Sequence, residues 1–387
     1  MKNIRWTYIM AAYLALLSFG LLDNIRGPFF PDLISDLSLR DDQASWFFAI
    51  ASVVAFFGSY LAPRIQQTIG AIQGLRVGLL LISAGFYLMT LAESLFQLLL
   101  ACAVFGMGMG VLQVFEHICI QEGSPPQLRR RLFNGLHSFY AAAAILAPLS
   151  ATWIFDYGKS WRWGFKIVAL VPLVTLVYAL FVKKIDEKLE KPNIVKAKGQ
   201  ELKHMLYLSV ALSLYVTAEL SMSTRLVLYI QRTLGLESAD STMYLTGFFA
   251  CLLLGRLLIT FFDFARFSSR QVIVASLIAS TTTYFLGLKL NPWLLSVSGF
   301  FMAPMFGMSM DYIAHTFHEK SSQAISLSFT VGSVLIVSMH YMVGLFTQWY
   351  GIENALYLGP VFLALGLFLF ILEPRIFREK FEQLTDH

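Results

Sequence analysis

A chain of 387 residues carries 57% hydrophobic and only 14% charged side chains, with a mean hydropathy of +0.65. Soluble domains run nearer 45–50% apolar and about a quarter charged, so lipid and not water must solvate most of it. That excludes an ordinary soluble enzyme, and the net charge of +5 is accounted for below by topology, without nucleic acid as a partner.

A bilayer core of about 30 Å needs roughly 20 apolar residues per helix. Stretches meeting that test run near 7–34, 43–62, 74–93, 95–120, 133–155 and 163–182, then near 205–231, 241–262, 271–289, 293–316, 324–348 and 355–373. The chain therefore reads as an all-α membrane protein of 12 transmembrane helices. Met1 to Arg5 places two cations before an apolar run with no small-residue cleavage site, which reads as a retained first helix. Cys102, Cys119 and Cys251 all fall inside apolar stretches and read as small packing residues.

Orientation follows the cations. With the N-terminus inside, the cytoplasmic segments hold about 20 Lys and Arg, including Lys2, Arg5, Arg64, Arg76, Arg129, Arg130, Arg131, Arg266, Arg270, Lys320, Arg375, Arg378 and Lys380. The other side holds about five, namely Arg40, Lys159, Arg162, Arg232 and Lys289. Both termini are thus expected in the cytoplasm. The Lys- and Glu-rich stretch 183–203, with Pro192 inside it, cannot enter lipid and reads as a surface helix or a tether. It divides the chain into an N-terminal six-helix bundle, 1–182, and a C-terminal bundle with a short tail, 204–387.

Repeated halves are common in transporters. Arg26 matches Arg225, Gly58 matches Gly255, and Phe105-Gly106-Met107-Gly108-Met109 matches Phe306-Gly307-Met308-Ser309-Met310, at offsets of about 199, 197 and 201 residues. Three landmarks in order at one spacing point to a duplication.

Several segments carry a family resemblance. Tyr215-Val-Thr-Ala-Glu219 is similar to the Tyr-Val-Gly-x-Glu of fucose-permease-like proteins, Gly255-Arg256-Leu-Leu to their Gly-Arg-x-Leu, and Asn134-Gly-Leu-His137-Ser-Phe139 to their Asn-x-Leu-His-x-Phe. With six plus six helices and Trp161-Arg162-Trp163 before helix 6, the chain resembles the major facilitator superfamily, and within it the fucose-permease-like branch. The resemblance implies two pseudo-symmetric bundles, alternating access, and a central cavity lined by helices 1, 4, 7 and 10. There are departures. The family's Gly-x-Leu-Ala-Asp-Arg-x-Gly loop reads Ser59-Tyr-Leu61-Ala62-Pro63-Arg64 here, which removes the carboxylate of the usual charge latch. The coupling glutamate of helix 4 falls on Gln113, with Glu116 almost one turn later.

Ionisable groups inside a span cost roughly 2.5–3.5 kcal/mol each on insertion scales, so they are functional candidates by default. Asp23 and Arg26 lie one turn apart on helix 1, either as a neutralised structural pair or as a cavity site in which Arg26 meets the solute. Asn24 and Gly27 beside them, with Pro28 and Pro31 following, read as a loosened helix. Glu219 and Arg225 lie on helix 7. The resemblance would set Arg26 and Arg225 across one cavity, and paired guanidiniums suit a carboxylate or phosphate; otherwise each simply pairs with Asp23 or Glu219. Glu116, His117 and His137 read as a proton relay or inner gate, because imidazoles titrate near neutral pH, or as a helix-end hydrogen-bond network. Asp311 and His315 read as a pair near the water interface, with Asp311 also a gate candidate. Arg256 reads as a structural contact and His340 as a satisfied core histidine. Trp46, Trp153, Trp161, Trp163, Trp293 and Trp349 fall near span ends, as interfacial aromatic belts do.

No phosphate loop, metal-ligand spacing or nucleophile elbow is present, so no cofactor and no enzymatic activity is expected. The sequence reads as a secondary active transporter of the inner membrane, a monomer, moving a small polar solute that is sugar-like or an organic anion. A proton or another ion drives it, with Arg26, Asn24, Gln113, Glu219 and Arg225 binding solute and Asp23, Glu116, His117, His137 and Asp311 coupling or gating. Two alternatives stay open. One is an exporter of amphipathic drugs or lipids, for which 34 Phe and 14 Met could line a greasy cavity; the other is a non-transporting membrane sensor.

Overall fold

The computed structural model describes residues 4–184, 197–261 and 267–377. Lys2, Arg266, Arg378, Lys380, most of the expected linker, and the side chains of Arg130, Arg131 and Asn134 fall outside that description. Every regular element among the described residues is helical. Among the described residues, twelve helices are long and apolar enough to cross a bilayer. They are α1 Trp6–Asp36, α2 Asp41–Ile69, α3 Ala71–Met89, α4 Leu95–Gly123, α5 Gly135–Asp156, α6 Trp161–Leu180, α7 Gly199–Leu234, α8 Ser238–Leu258, α9 Ser269–Lys289, α10 Trp293–Phe317, α11 Gln323–Tyr350 and α12 Ile352–Ile376.

Local chemistry explains where the helices depart from expectation. α7 starts at Gly199, so the last charged residues of the expected linker already belong to it. α6 breaks at Ala169 and α10 at Ala303–Pro304, where unbroken helices were expected. A proline cannot donate to the carbonyl four residues back and its ring crowds that turn; Pro172 and Pro304 sit at these breaks. Pro28 and Pro31 do not loosen α1, which stays helical from Trp6 to Asp36. Residues 25–31 are all buried, and surrounding protein is what holds a proline-containing helix together at membrane depth.

The chain forms two compact units: Met1–Lys191 with Leu226–Thr246, and Pro192–Arg225 with Gly247–His387. In the first, α4 packs along α2, α3 and α1, while α5 packs on α1. In the second, α9 packs on α10 and α12.

Close helix approach shows the duplication directly. A side chain at Gly58 would meet the Met107 carbonyl at 2.6 Å, and one at Gly255 would meet the Phe300 carbonyl at 2.6 Å. Likewise, a side chain at Gly106 would overlap the Ala51 carbonyl, and one at Gly299 would meet the Phe248 carbonyl at 2.6 Å. Ala51 and Phe248 are 197 residues apart, as are Gly58 and Gly255. This corrects the third landmark. The packing counterpart of Gly106 is Gly299, two turns before Gly307, and a side chain at Gly307 would meet nothing within 4 Å.

Candidate functional site

The first unit buries a charged cluster on α1. Arg26, 6% exposed, pairs with Asp23 Oδ1, and its Nε donates to the Asp23 carbonyl at 3.3 Å. Tyr140 of α5 donates to Asp23 Oδ2 at 3.1 Å. The guanidinium lies 5.7, 5.1 and 5.0 Å from the ring centroids of Phe47, Phe48 and Phe105, within cation–π range. Its Nη1 is buried and has no hydrogen-bond acceptor among the described residues. Asn24 turns back on its own helix, donating to the Gly20 carbonyl at 2.8 Å.

Glu116, His117 and His137 do not form one chain of hydrogen bonds. Glu116 is completely buried, and among the described residues neither carboxyl oxygen has a hydrogen-bond partner. His117 is next in sequence, about 100° round the helix. Its Nδ1 is 2.7 Å from the Gln113 carbonyl, and its ring lies 5.4 Å from Phe133 and 5.9 Å from His137. The two imidazoles thus come together and the carboxyl group faces elsewhere. The Gln113 side chain is exposed.

In the second unit Glu219 lies 4.0 Å from Arg256 of α8, so its recorded ion pair is with that residue. Arg225 is 2% exposed. Asp311 accepts from Ser269 and lies 3.5 Å from His315, both well exposed. Arg64, beside Pro63, stacks over Tyr60 at 5.8 Å. Five of the six belt tryptophans are at least 36% exposed, but Trp161 is 2% exposed and donates to Asp36 at 3.1 Å.

Two polar groupings escaped the sequence reading. Arg232 donates to Asp41 Oδ2 at 2.9 Å and forms an ion pair with its Oδ1 at 2.9 Å, and Ser238 donates to Asp32 at 3.2 Å, within the first unit. The second is larger. Glu373 of α12, 0% exposed, accepts from Tyr312 at 2.6 Å and Arg270 at 2.9 Å, and bonds His204 at 2.7 Å. Four helices of the second unit thereby converge on one carboxylate. A signal was available: Glu373 is the one acid closing the otherwise apolar stretch 355–373. His204 and Arg270 sit at span ends, where cations read as orientation marks.

A family model described as Major Facilitator Superfamily matches residues 12–334. Solute carrier family 2, facilitated glucose transporter member 8 of Bos taurus is 28% identical over 176 residues, which are 44% of this chain and 36% of that protein. The chain's match thus spans about a third of that relative's length. Among solved structures, a bacterial homologue of the human lysosomal transporter Spinster, inward-facing and unoccupied, superposes with a TM-score of 0.81 at 14% identity, covering 98% of this chain and 99% of that one. The transporter FucP in an outward conformation gives 0.64 at 15% identity, covering 95% and 99%.

Proposed function

This chain belongs to the major facilitator superfamily, and from that membership we propose that it moves a small, uncharged, polyhydroxylated solute by proton-coupled alternating access. Membership makes it a multi-pass transporter of small molecules and not an enzyme. The proposal concerns what it carries and how it is driven. It places the protein in the cytoplasmic membrane with both termini inside, the arrangement the cation distribution favours.

One observation carries the solute class: in each unit a candidate arginine lies beside an acid. Arg26 has Asp23, and Arg256 has Glu219. Charges balanced in this way within each unit offer a neutral solute hydrogen bonds without a net field, whereas an anion would have to compete with a fixed carboxylate. The glucose-transporter relative agrees with this class. An organic anion is the second reading, favoured by the Arg26 Nη1 that lacks an acceptor.

Glu116 is the coupling candidate in this scheme. An ionised carboxylate needs hydrogen-bond partners that its surroundings do not supply, so alternation between a sealed and a wet setting would load and release a proton.

The test is counterflow and uptake in proteoliposomes with pentoses, hexoses and small carboxylates, with and without an inward proton gradient. Gradient-stimulated uptake of a neutral sugar, reduced by Arg26→Ala, is expected. Selective uptake of carboxylates would move the reading to the anion carrier, and indifference of all solutes to both pH and Arg26→Ala would end it.

A further inference from the structure

Between α7 and α12, on the second unit, runs a groove of 360 Å³ lined by Lys203, Leu206, Tyr207, Val210 and Leu369. Residues 203, 206, 207 and 210 recur at helical spacing on one face of α7. Lys203 and Leu206 are exposed, and Tyr207, Val210 and Leu369 are half-buried. The lining is hydrocarbon apart from its two ends of polarity. The Tyr207 hydroxyl is already spent, donating to the Leu369 carbonyl at 2.7 Å across the seam. Lys203 has no ion-pair partner among the described residues, whereas Glu201, two residues before it, is held by Lys320.

The seam beneath the groove is fixed. His204, beside Lys203, bonds Glu373 of α12 at 2.7 Å. Phe377 stacks on the His204 ring at 4.2 Å and meets Tyr207 edge-on at 5.5 Å. The walls are therefore set before any ligand arrives, which removes an ordering penalty from binding.

We propose that this groove binds one anionic phospholipid, its phosphate on Lys203 and an acyl chain along Leu206, Val210 and Leu369. Lys203 to Val210 covers about 10 Å of helix, a depth that runs from headgroup level into hydrocarbon. A zwitterionic lipid would fill the same apolar surface, but its own cation opposes the unpaired ammonium. A soluble anion would leave the apolar walls uncovered. The charge and the groove together select an acidic lipid, as basic pockets between membrane helices do. The inference is independent of which solute is carried.

Native mass spectrometry of the purified full-length protein, with equal phosphatidylglycerol and phosphatidylcholine of matched chains, tests it. The wild type should retain phosphatidylglycerol roughly fivefold over phosphatidylcholine, the worth of one lysine near an anionic surface. Lys203→Gln should bring the ratio close to one, and Val210→Trp, which fills the groove, should lower retention of both lipids. An unbiased wild type overturns the proposal, as does a preference that survives Lys203→Gln. Lys203 is exposed, so its variant decides the question even if Val210→Trp folds poorly.

Discussion

Tyr140 of α5 donates to Asp23 Oδ2 while Arg26 takes Oδ1, so one carboxylate of α1 is shared between a neighbouring helix and a buried guanidinium. Asp23 is thereby fixed on both oxygens, and Arg26 is held among three phenylalanine rings. The arrangement couples the α1–α5 contact to the charge state of the candidate solute site.

Neutralising Asp23 and removing its Tyr140 partner should have unequal consequences. Asp23→Asn leaves Arg26 buried without a counter-ion, and breaking a buried pair in this way costs about 3–5 kcal/mol. Tyr140→Phe deletes one hydrogen bond to a charged group, about 1.5–3 kcal/mol. Melting temperatures in one detergent should rank wild type, Tyr140→Phe, then Asp23→Asn, with uptake lost in the last. Equal melting of both variants would mean the carboxylate does not neutralise Arg26.

The glycine crossings predict a matched pair of effects. Gly58→Ala and Gly255→Ala each push a methyl group onto a facing carbonyl at 2.6 Å, an overpacking that costs about 1–3 kcal/mol. Gly307→Ala meets open space and should melt within error of wild type or above it, since alanine is the better helix former. A large loss at Gly307 would restore the register that pairs it with Gly106.

The twelve spans were legible because 20-residue apolar runs leave little choice of element in lipid. Asp23 and Arg26 were legible too, since one helical turn is a short-range rule. Relations across helices were not. The spacing that matched Phe105–Met109 to Phe306–Met310 looked periodic, yet packing aligns Gly106 with Gly299, because repeat equivalence is set by which carbonyl a glycine faces. Glu116 and His117 sit side by side in sequence and on different faces in space. The Glu373 cluster draws on residues up to 169 positions apart, a convergence that no local pattern encodes.

Glu116→Gln should separate coupling from carriage. The amide keeps the volume of the side chain but cannot bind and release a proton near neutral pH. Solute counterflow, which needs no gradient, should persist at a rate near wild type, while accumulation driven by an inward proton gradient should fall at least about tenfold. Full accumulation in the variant would remove Glu116 from the scheme and leave Glu219 as the next carboxylate to test.

Glu373 gives the sharpest stability prediction. Its two oxygens serve Tyr312, Arg270 and His204, and Arg270 also donates to the Phe370 carbonyl at 3.1 Å while lying 5.0 Å over the Phe370 ring. Glu373→Ala strips the acceptor from three side chains at once and leaves a cavity, so it should cost at least about 3–5 kcal/mol. Glu373→Gln keeps volume and one acceptor oxygen but not the charge opposite Arg270, and should be intermediate. His204→Phe keeps a ring against Phe377 and loses one bond, about 1.5–3 kcal/mol. Thermal melts should therefore order Glu373→Ala below Glu373→Gln below His204→Phe. The double variant His204→Phe with Glu373→Ala should melt close to Glu373→Ala alone, because the bond removed by the first change no longer exists in the second. Additive losses would show that the cost of His204→Phe does not come from its bond to the carboxylate.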